Sequence, residues 1–224
     1  DTRKTDLEYA VSLKSILDLH HIQAEELEGA ILSSVVPPLN AVITEAVQKV
    51  TGLTCKLVGA GMRTGMNIRM DDPKHIGSDL IVDSVAAKAN YPLPIIVIDM
   101  GTATSITALD RNGDYVGGVI HPGLRVSLNT LSGSTAQLPS IDLESPGRAL
   151  AKNTIEAMQS GILYGTAGML DGILTRMEEE LGSKATIVAT GGLARFVTPL
   201  CSHQIEFDDL LLLKGLLILY RKNS

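Results

Sequence analysis

The sequence has no tryptophan, and aromatic residues make up only 3% of its 224 positions. A nucleic-acid platform of stacked aromatic rings therefore lacks its material. The two cysteines, Cys55 and Cys201, stand far apart in the chain and make neither a disulfide framework nor a zinc site. Five scattered histidines add no HxxxH pair. There is no Lys/Arg-rich block, and 25 acidic against 19 basic side chains leave a net charge of −6, which argues against a binder of nucleic-acid backbone. No apolar run approaches the ~20 residues of a membrane span, and the start Asp1-Thr2-Arg3-Lys4 is too polar for a secretory leader. What remains is a folded-domain composition, 45% apolar and 20% charged, in a chain long enough for one large or two small domains. A soluble, cytoplasmic protein is expected. The chain opens without Met on the run-in to a helix, so an N-terminal piece is expected to be missing.

Thr5-Asp6-Leu7-Glu8 is a capping box ahead of apolar residues at near-helical spacing through Leu17. A strand is predicted over 29–36, stopping at Pro37-Pro38, then a helix over 39–50 closed by Gly52 and a strand over 55–58. That is a βαβ unit, which favours parallel pairing. The polar stretch 59–76 is long enough to be functional or mobile. A helix over 77–90 precedes the apolar strand 94–99, and Thr102 to Leu109 continues as a second strand. Asn112-Gly113 is a strong hairpin signal, and Tyr115 to Ile120 returns as the partner. The chain thus carries an antiparallel meander inside an α/β pattern. Part of 123–137 reads as helix. Asn153-Thr154-Ile155-Glu156 opens a helix running to Leu181 with Gly182 after it, roughly 40 Å long at ~1.5 Å per residue. A strand over 185–190 lands on Gly191-Gly192, and a short helix, a strand over 204–207 and a helix over 210–220 finish the chain. A domain division is placed near 87–93.

Asp99-Met100-Gly101-Thr102-Ala103-Thr104-Ser105 sits at a strand-to-strand turn. A tight glycine turn exposes amide donors, threonine hydroxyls add more, and the aspartate can hold a cation beside phosphates; an ordinary polar turn would look the same. Gly59-Ala60-Gly61-Met62-Arg63-Thr64-Gly65 follows a strand, but its spacing is one residue too long for a dinucleotide loop and no helix follows. No P-loop or nucleophile-elbow pattern occurs. In Gly77-Ser78-Asp79-Leu80, composition favours a helix cap or a first-turn acid over a carboxylate aimed into a cleft. Gly161, Gly165, Gly168 and Gly172 share one face of the long helix and call for close approach by another backbone, either the protein's own sheet or a symmetry mate. Gly191-Gly192 would let a nucleotide base lie on bare backbone, or is a helix-entry turn.

Taken in order, Ser33-Ser34-Val35-Val36-Pro37, Arg63-Thr64-Gly65, Gly77-Ser78-Asp79, the Asp99 to Ser105 turn, Gly117-Gly118-x-Ile120-x-Pro122-Gly123, Asn153-Thr154-x-Glu156-Ala157-Met158-Gln159-Ser160-Gly161, Ala189-Thr190-Gly191-Gly192 and Leu213-Lys214-Gly215-Leu216 resemble type III pantothenate kinase, also called the Bvg accessory factor family. The resemblance covers essentially the whole chain, and the string from Asn153 to Gly161 is its most specific part.

The resemblance implies an α/β, two-lobed actin/Hsp70/sugar-kinase-like fold, a duplicated ribonuclease H-like architecture, with lobes at 1–90 and 91–224 and its opening strands missing. It implies transfer of the ATP γ-phosphate to pantothenate, with Mg2+ and a monovalent cation (K+ or NH4+), in a homodimer, with no nucleic-acid or membrane partner. By matching position Asp79 is the catalytic base, Gly77, Ser78, Asp79 and Leu80 line the pantothenate site, and Thr154 contacts pantothenate. Asp99 is the cation ligand, and Gly101 and Thr102, with Gly191 and Gly192, meet ATP. The chain departs from the family pattern at Leu80, where an Arg is usual, and at Met70, where a Tyr is common. The family's Asp-x-Gly-Asn-Thr phosphate loop is not in this sequence. The alternative on the same fold is a catalytically impaired nucleotide-binding or regulatory paralogue.

Overall fold

The capping box at the start of the chain forms as its residues require. The Glu8 amide donates to Thr5 Oγ1 at 3.3 Å, and the Thr5 amide donates to the Glu8 carboxylate at 2.8 Å, opening α1 (Asp6–Leu19). The computed structural model describes residues 3–135 and 137–224. Asp1-Thr2, part of the polar start, and Ala136, inside the helix predicted over 123–137, lie outside the described residues.

β1 (Ala30–Leu32), α2 (Pro37–Thr51) and β2 (Cys55–Leu57) form the expected unit, with β1 and β2 parallel. Two boundaries differ from the sequence reading. The strand predicted over 29–36 is only three residues, because the chain beyond it turns and Ser33 Oγ bonds Ser78 Oγ at 2.8 Å. The following helix begins at Pro37, not Leu39, because proline lacks only an amide that a first helical turn leaves unused. Gly52, at φ +73°, ends it in the left-handed region.

The connection 59–76 is neither helix nor strand except for a 3-10 turn at Pro73–His75. It is nevertheless pinned. The Arg69 amide donates to Tyr115 O and the Tyr115 amide to Asn67 O, each at 2.8 Å. Arg69 pairs with Asp114 at 2.6 Å, and Lys88 Nζ reaches Gly65 O at 3.1 Å and Gly113 O at 3.0 Å. Of the two readings of this segment, functional or mobile, these bonds argue against the mobile one.

The main sheet comprises β3 (Ile95–Met100), β4 (Ala103–Leu109), β5 (Tyr115–Pro122), β6 (Thr186–Thr190) and β7 (Glu206–Phe207) in the order β5-β4-β3-β6-β7. β3, β4 and β5 are the antiparallel meander, and β6 runs parallel to β3. The final strand is shorter than the predicted 204–207. Strand alternation divides the core into two layers. Ile95, Val97, Leu109 and Val188 pack with α3 (Ser78–Asn90) and α7 (Leu211–Lys222). Ile96, Ile98, Met100 and Ile106 pack with α5 (Thr154–Leu181), and α4 (Leu124–Gly133) and α6 (Ala194–Val197) flank that same side.

α5 turns Leu163, Ala167, Leu170 and Leu174 to the sheet. Its glycine stripe is on the other side: among the described residues nothing lies within 4 Å of a Cβ built at Gly161, Gly165 or Gly168, and only Arg176 approaches Gly172. Packing of the stripe on the protein's own sheet is therefore excluded. The close helix approach is elsewhere. α7 crosses α3 at Gly215, where a Cβ would meet the Val82 backbone carbonyl and lie 2.7 Å from Val82 Cγ1. Both helices would have to separate to admit a methyl, so Gly215→Ala is expected to cost about 1–3 kcal/mol. A denaturant titration checks this, and an unchanged midpoint would show that the crossing is loose.

Candidate active site

β3 and β6 run parallel and end level, with Asp99 in register with Thr190. β3 then turns through Gly101 and Thr102 into β4, while β6 runs onto Gly191-Gly192. Gly191 has φ +91°, and a Cβ there would lie 2.6 Å from Met100 O; only glycine lets the two strand ends close up. Gly123, the N-cap of α4, is the third backbone at this point. Its amide donates to Thr102 O at 3.1 Å, and a Cβ on it would lie 2.6 Å from Gly101 O. Beside these turns, on the α4 and α6 side, is a cavity of about 700 Å³ whose walls include Gly101, Thr102, Arg125, Gly192, Arg195 and Phe196. The sequence reading singled out the two glycine turns independently, and the structure brings them to one rim.

The other face of the same rim is acidic. Gly77 is the N-cap of α3 and makes no side-chain cap bond. Ser78 turns its hydroxyl to Ser33 and donates to Ser34 O at 3.3 Å. Asp79 lies in the first turn, and its Oδ1 accepts the Leu80 amide at 2.9 Å. A Cβ at Gly77 would collide with that carboxylate oxygen, so glycine here keeps the carboxylate's place clear. Asp99 is on the sheet face that carries Ile95 and Val97, turned toward α3. Burial raises its carboxyl above the ordinary range, and the Asp79 charge adds to that.

Asp83, one helical turn beyond Asp79, is the residue that sequence reasoning missed. It is 2% exposed, and its Oδ1 has no hydrogen-bond partner. Burial, followed by the charges of Asp99, Asp79 and Asp208, pushes its carboxyl up to about 8. Asp208 shows the contrast. It is 6% exposed, and burial alone would raise it, but bonds from Lys214 at 2.6 Å and Tyr91 at 3.0 Å hold it below the usual carboxylate range. The available signal for Asp83 was an acid placed i+4 from Asp79 within the apolar run Ile81-Val82…Val85-Ala86-Ala87.

The oxygen chemistry here fits a hard cation. Asp99 is in register with Ser105 on one side and Thr190 on the other, so a carboxylate and two hydroxyls share a face, with the orphaned Asp83 oxygen on the helix above. Among the described residues no three His, Cys, Asp or Glu side chains are grouped closely enough to hold a metal alone. A cation here would complete its shell with hydroxyls, water and phosphate oxygens, as small hard cations commonly do.

Thr154 is not brought to this site within one chain. It is the first residue of α5, beside the N-cap Asn153, whose Oδ1 accepts the Glu156 amide at 2.9 Å. α5 covers the opposite sheet face from α3. Leu80 is half-buried next to Asp79, and Met70 packs at the edge of the α3–α7 core.

The Asp83 environment has a thermodynamic consequence. The unfolded chain releases this proton near pH 4, whereas the folded chain holds it to about pH 8. The stabilising contribution is complete below the unfolded value and is lost as pH rises toward the folded one, with a slope of at most ~1.4 kcal/mol per unit. Asp83→Asn, which stays neutral, is expected to flatten that decline and to exceed the parent in stability at pH 8. Urea titrations from pH 5 to 9 measure it, and parallel curves for parent and variant would contradict it.

The profile described as type III pantothenate kinase matches residues 1–176. The type III pantothenate kinase of Moorella thermoacetica is 41% identical over 224 residues, 100% of this chain and 88% of that protein. The one from Exiguobacterium sp. is likewise 41% identical, with the same coverage. Among solved structures, a conserved Baf family protein from Campylobacter jejuni matches with a TM-score of 0.58 at 18% identity, over 92% of this chain and 88% of that one. The ethanolamine utilization protein EutJ from Carboxydothermus hydrogenoformans matches at 0.53 and 15% identity, over 94% and 73%. At such identities these two show a shared α/β fold and nothing finer. The profile match and the full-length identities carry the family assignment: the chain belongs to the type III pantothenate kinases.

Proposed function

We propose that the protein transfers the γ-phosphate of ATP to the primary hydroxyl of pantothenate, giving 4'-phosphopantothenate for coenzyme A synthesis. The observation that carries this is the two-sided rim. Glycine turns and a nucleotide-sized cavity lie on one side, and the Asp79 carboxylate at a helix start lies on the other. A triphosphate laid across Gly101 and Thr102, with its base toward Gly191 and Gly192, would present its γ-phosphate to the Asp79 side.

Phosphoryl transfer passes through a loose transition state, so positioning and charge neutralisation matter more than base strength. A carboxylate is a weak base toward an alcohol, and Asp79 therefore orients the hydroxyl and takes its proton late. Asp83, neutral and buried, is unsuited to that role but keeps one negative charge out of a crowded site. Gly77, Ser78 and Leu80 shape the pantothenate end. Asp99, with Ser105 and Thr190, would hold the monovalent cation, K+ or NH4+. Mg2+ bound with ATP would supply neutralisation of the phosphate charge. The two proposed lobes, 1–90 and 91–224, would share one packing layer where α3 meets β3 and α7, and the reaction would take place in the cytoplasm, where ATP and pantothenate are found. Among the described residues no helix is long and apolar enough to cross a membrane.

The site is completed by a second copy. Thr154 lies on the sheet face opposite Asp79, and among the described residues the stripe of Gly161, Gly165 and Gly168 on its helix has no neighbour outside its own helix within 4 Å of an added Cβ. A homodimer packed along that stripe would bring Thr154 of one subunit to the substrate of the other. The N-terminal end of α5 would also favour the pantothenate carboxylate by ~0.3–1 kcal/mol.

Turnover of pantothenate with ATP, read as ADP release with and without potassium, tests the activity. Asp79→Asn is expected to keep the fold and lower kcat by about 10²–10⁴-fold, and a variant at the parental rate would remove Asp79 from its role. Gly165→Leu, placed on open surface, is expected to yield monomers by sedimentation and to lose turnover. A monomer that still phosphorylates pantothenate would refute the shared site.

A further inference from the structure

The cavity beside the glycine turns contains two arginines, Arg125 and Arg195, and a single carboxylate, Asp142. Both arginines are exposed, and among the described residues neither guanidinium forms an ion pair or donates a hydrogen bond. The cavity thus carries positive charge without a paired carboxylate in a chain of net charge −6, next to a rim whose other face carries Asp79, Asp83 and Asp99. An anion approaching that rim is repelled from the α3 side and attracted from the cavity side.

The two arginines are placed differently. Arg125 is in the first turn of α4, two residues after Gly123, whose amide is bonded to Thr102 O. It therefore shares an end of the cavity with the Gly101–Thr102 turn and the positive end of a ten-residue helix. Arg195 is three residues beyond Gly192, and its guanidinium carbon lies 5.0 Å from the centroid of the Phe196 ring. Phe196 is one of only two phenylalanines in the chain. An arginine seated over a ring presents a flat, delocalised plane, the surface on which a planar heterocycle stacks.

We propose that Arg125 and Arg195 divide recognition of the nucleotide, Arg125 pairing with its phosphates and Arg195, braced by Phe196, stacking on its base. This rests on the ATP reading above and adds to it the two side chains that set affinity. Arg125 supplies the cationic contact on the cavity side of the rim, opposite the carboxylates. Arg195 supplies a base contact that needs no hydrogen-bond pattern, so purine nucleotides should be accepted with little discrimination.

Three probes separate the roles: ATP, adenosine and inorganic triphosphate, their affinities for the full chain measured by ligand-observed NMR, which reads millimolar binding. Arg125→Gln is expected to weaken ATP and triphosphate about tenfold or more, with a flatter salt dependence, and to leave adenosine within twofold. Arg195→Lys keeps the charge and loses the plane. It is expected to weaken ATP and adenosine alike, about two- to fivefold, and to leave triphosphate unchanged. Equal losses of ATP and adenosine in Arg125→Gln, or unchanged adenosine binding in Arg195→Lys, would overturn the division. The parent chain separates this from the broader reading: a parent that binds ATP but does not phosphorylate pantothenate leaves the division standing and removes the activity, whereas a parent that binds none of the three probes removes both.

Discussion

The parallel contact between β3 and β6 is the constraint on which the site depends. It places Asp99 beside Thr190, and the two chains must then leave the sheet at the same level and in different directions. Gly191 makes that departure possible, because any side chain there would strike the Met100 carbonyl and its φ of +91° is costly for other residues. The turn after β3 receives α4 on its outer side through Gly123, so three backbones meet with almost no side-chain volume between them. A ligand at this rim encounters peptide groups first. Side chains act from the two flanks, acidic on one and basic on the other.

The acidic flank sets the energetic character of the molecule. Most buried charge here is paired: Asp208 with Lys214 and Tyr91, Asp114 with Arg69 and Asn67. Asp83 alone among these carboxylates has an oxygen without a donor, and the adjacent buried Ser84 hydroxyl is unpartnered too. Leaving a buried oxygen unpaired is destabilising, so the fold is locally frustrated where a substrate and cation would arrive. The apolar half of α3 and its crossing with α7 compensate within the same element.

Legibility in the sequence followed locality. The capping box at Thr5, the Gly52 and Gly182 helix ends, the Asn112-Gly113 hairpin and the Asn153 start are set by residues within a few positions of each other, and each appears where its pattern placed it. β1 and β7 came out shorter because strand ends depend on non-local contacts: β1 stops where Ser33 turns to Ser78, and β7 pairs with β6 over only two residues. The two glycine turns were legible as candidate ligand turns, but their meeting at one rim depends on the β3–β6 pairing, which joins residues some ninety positions apart. The stripe on α5 was legible as a close-contact surface and not as to which surface it would meet; the outward direction follows from which side of α5 the leucines occupy. Asp83 could not be ranked above any other helix acid until the burial around it was known.

Rigidity follows from how α3 is held. Its apolar face is sealed against β3 and α7, its last turn is tethered through Lys88 to Gly113 and Gly65, and the segment leading into it is laced to β5 through Arg69 and Tyr115. The helix that bears Asp79 therefore travels with the sheet that bears Asp99, and the spacing of these two carboxylates is a fixed dimension of one body. The β1–β2 unit is joined to the same body, through Lys56 Nζ to Asn223 O at 2.6 Å and Tyr220 OH to Glu28 O at 3.1 Å. The electrostatic work of bringing the two acids together is therefore done when the chain folds, before any ligand arrives.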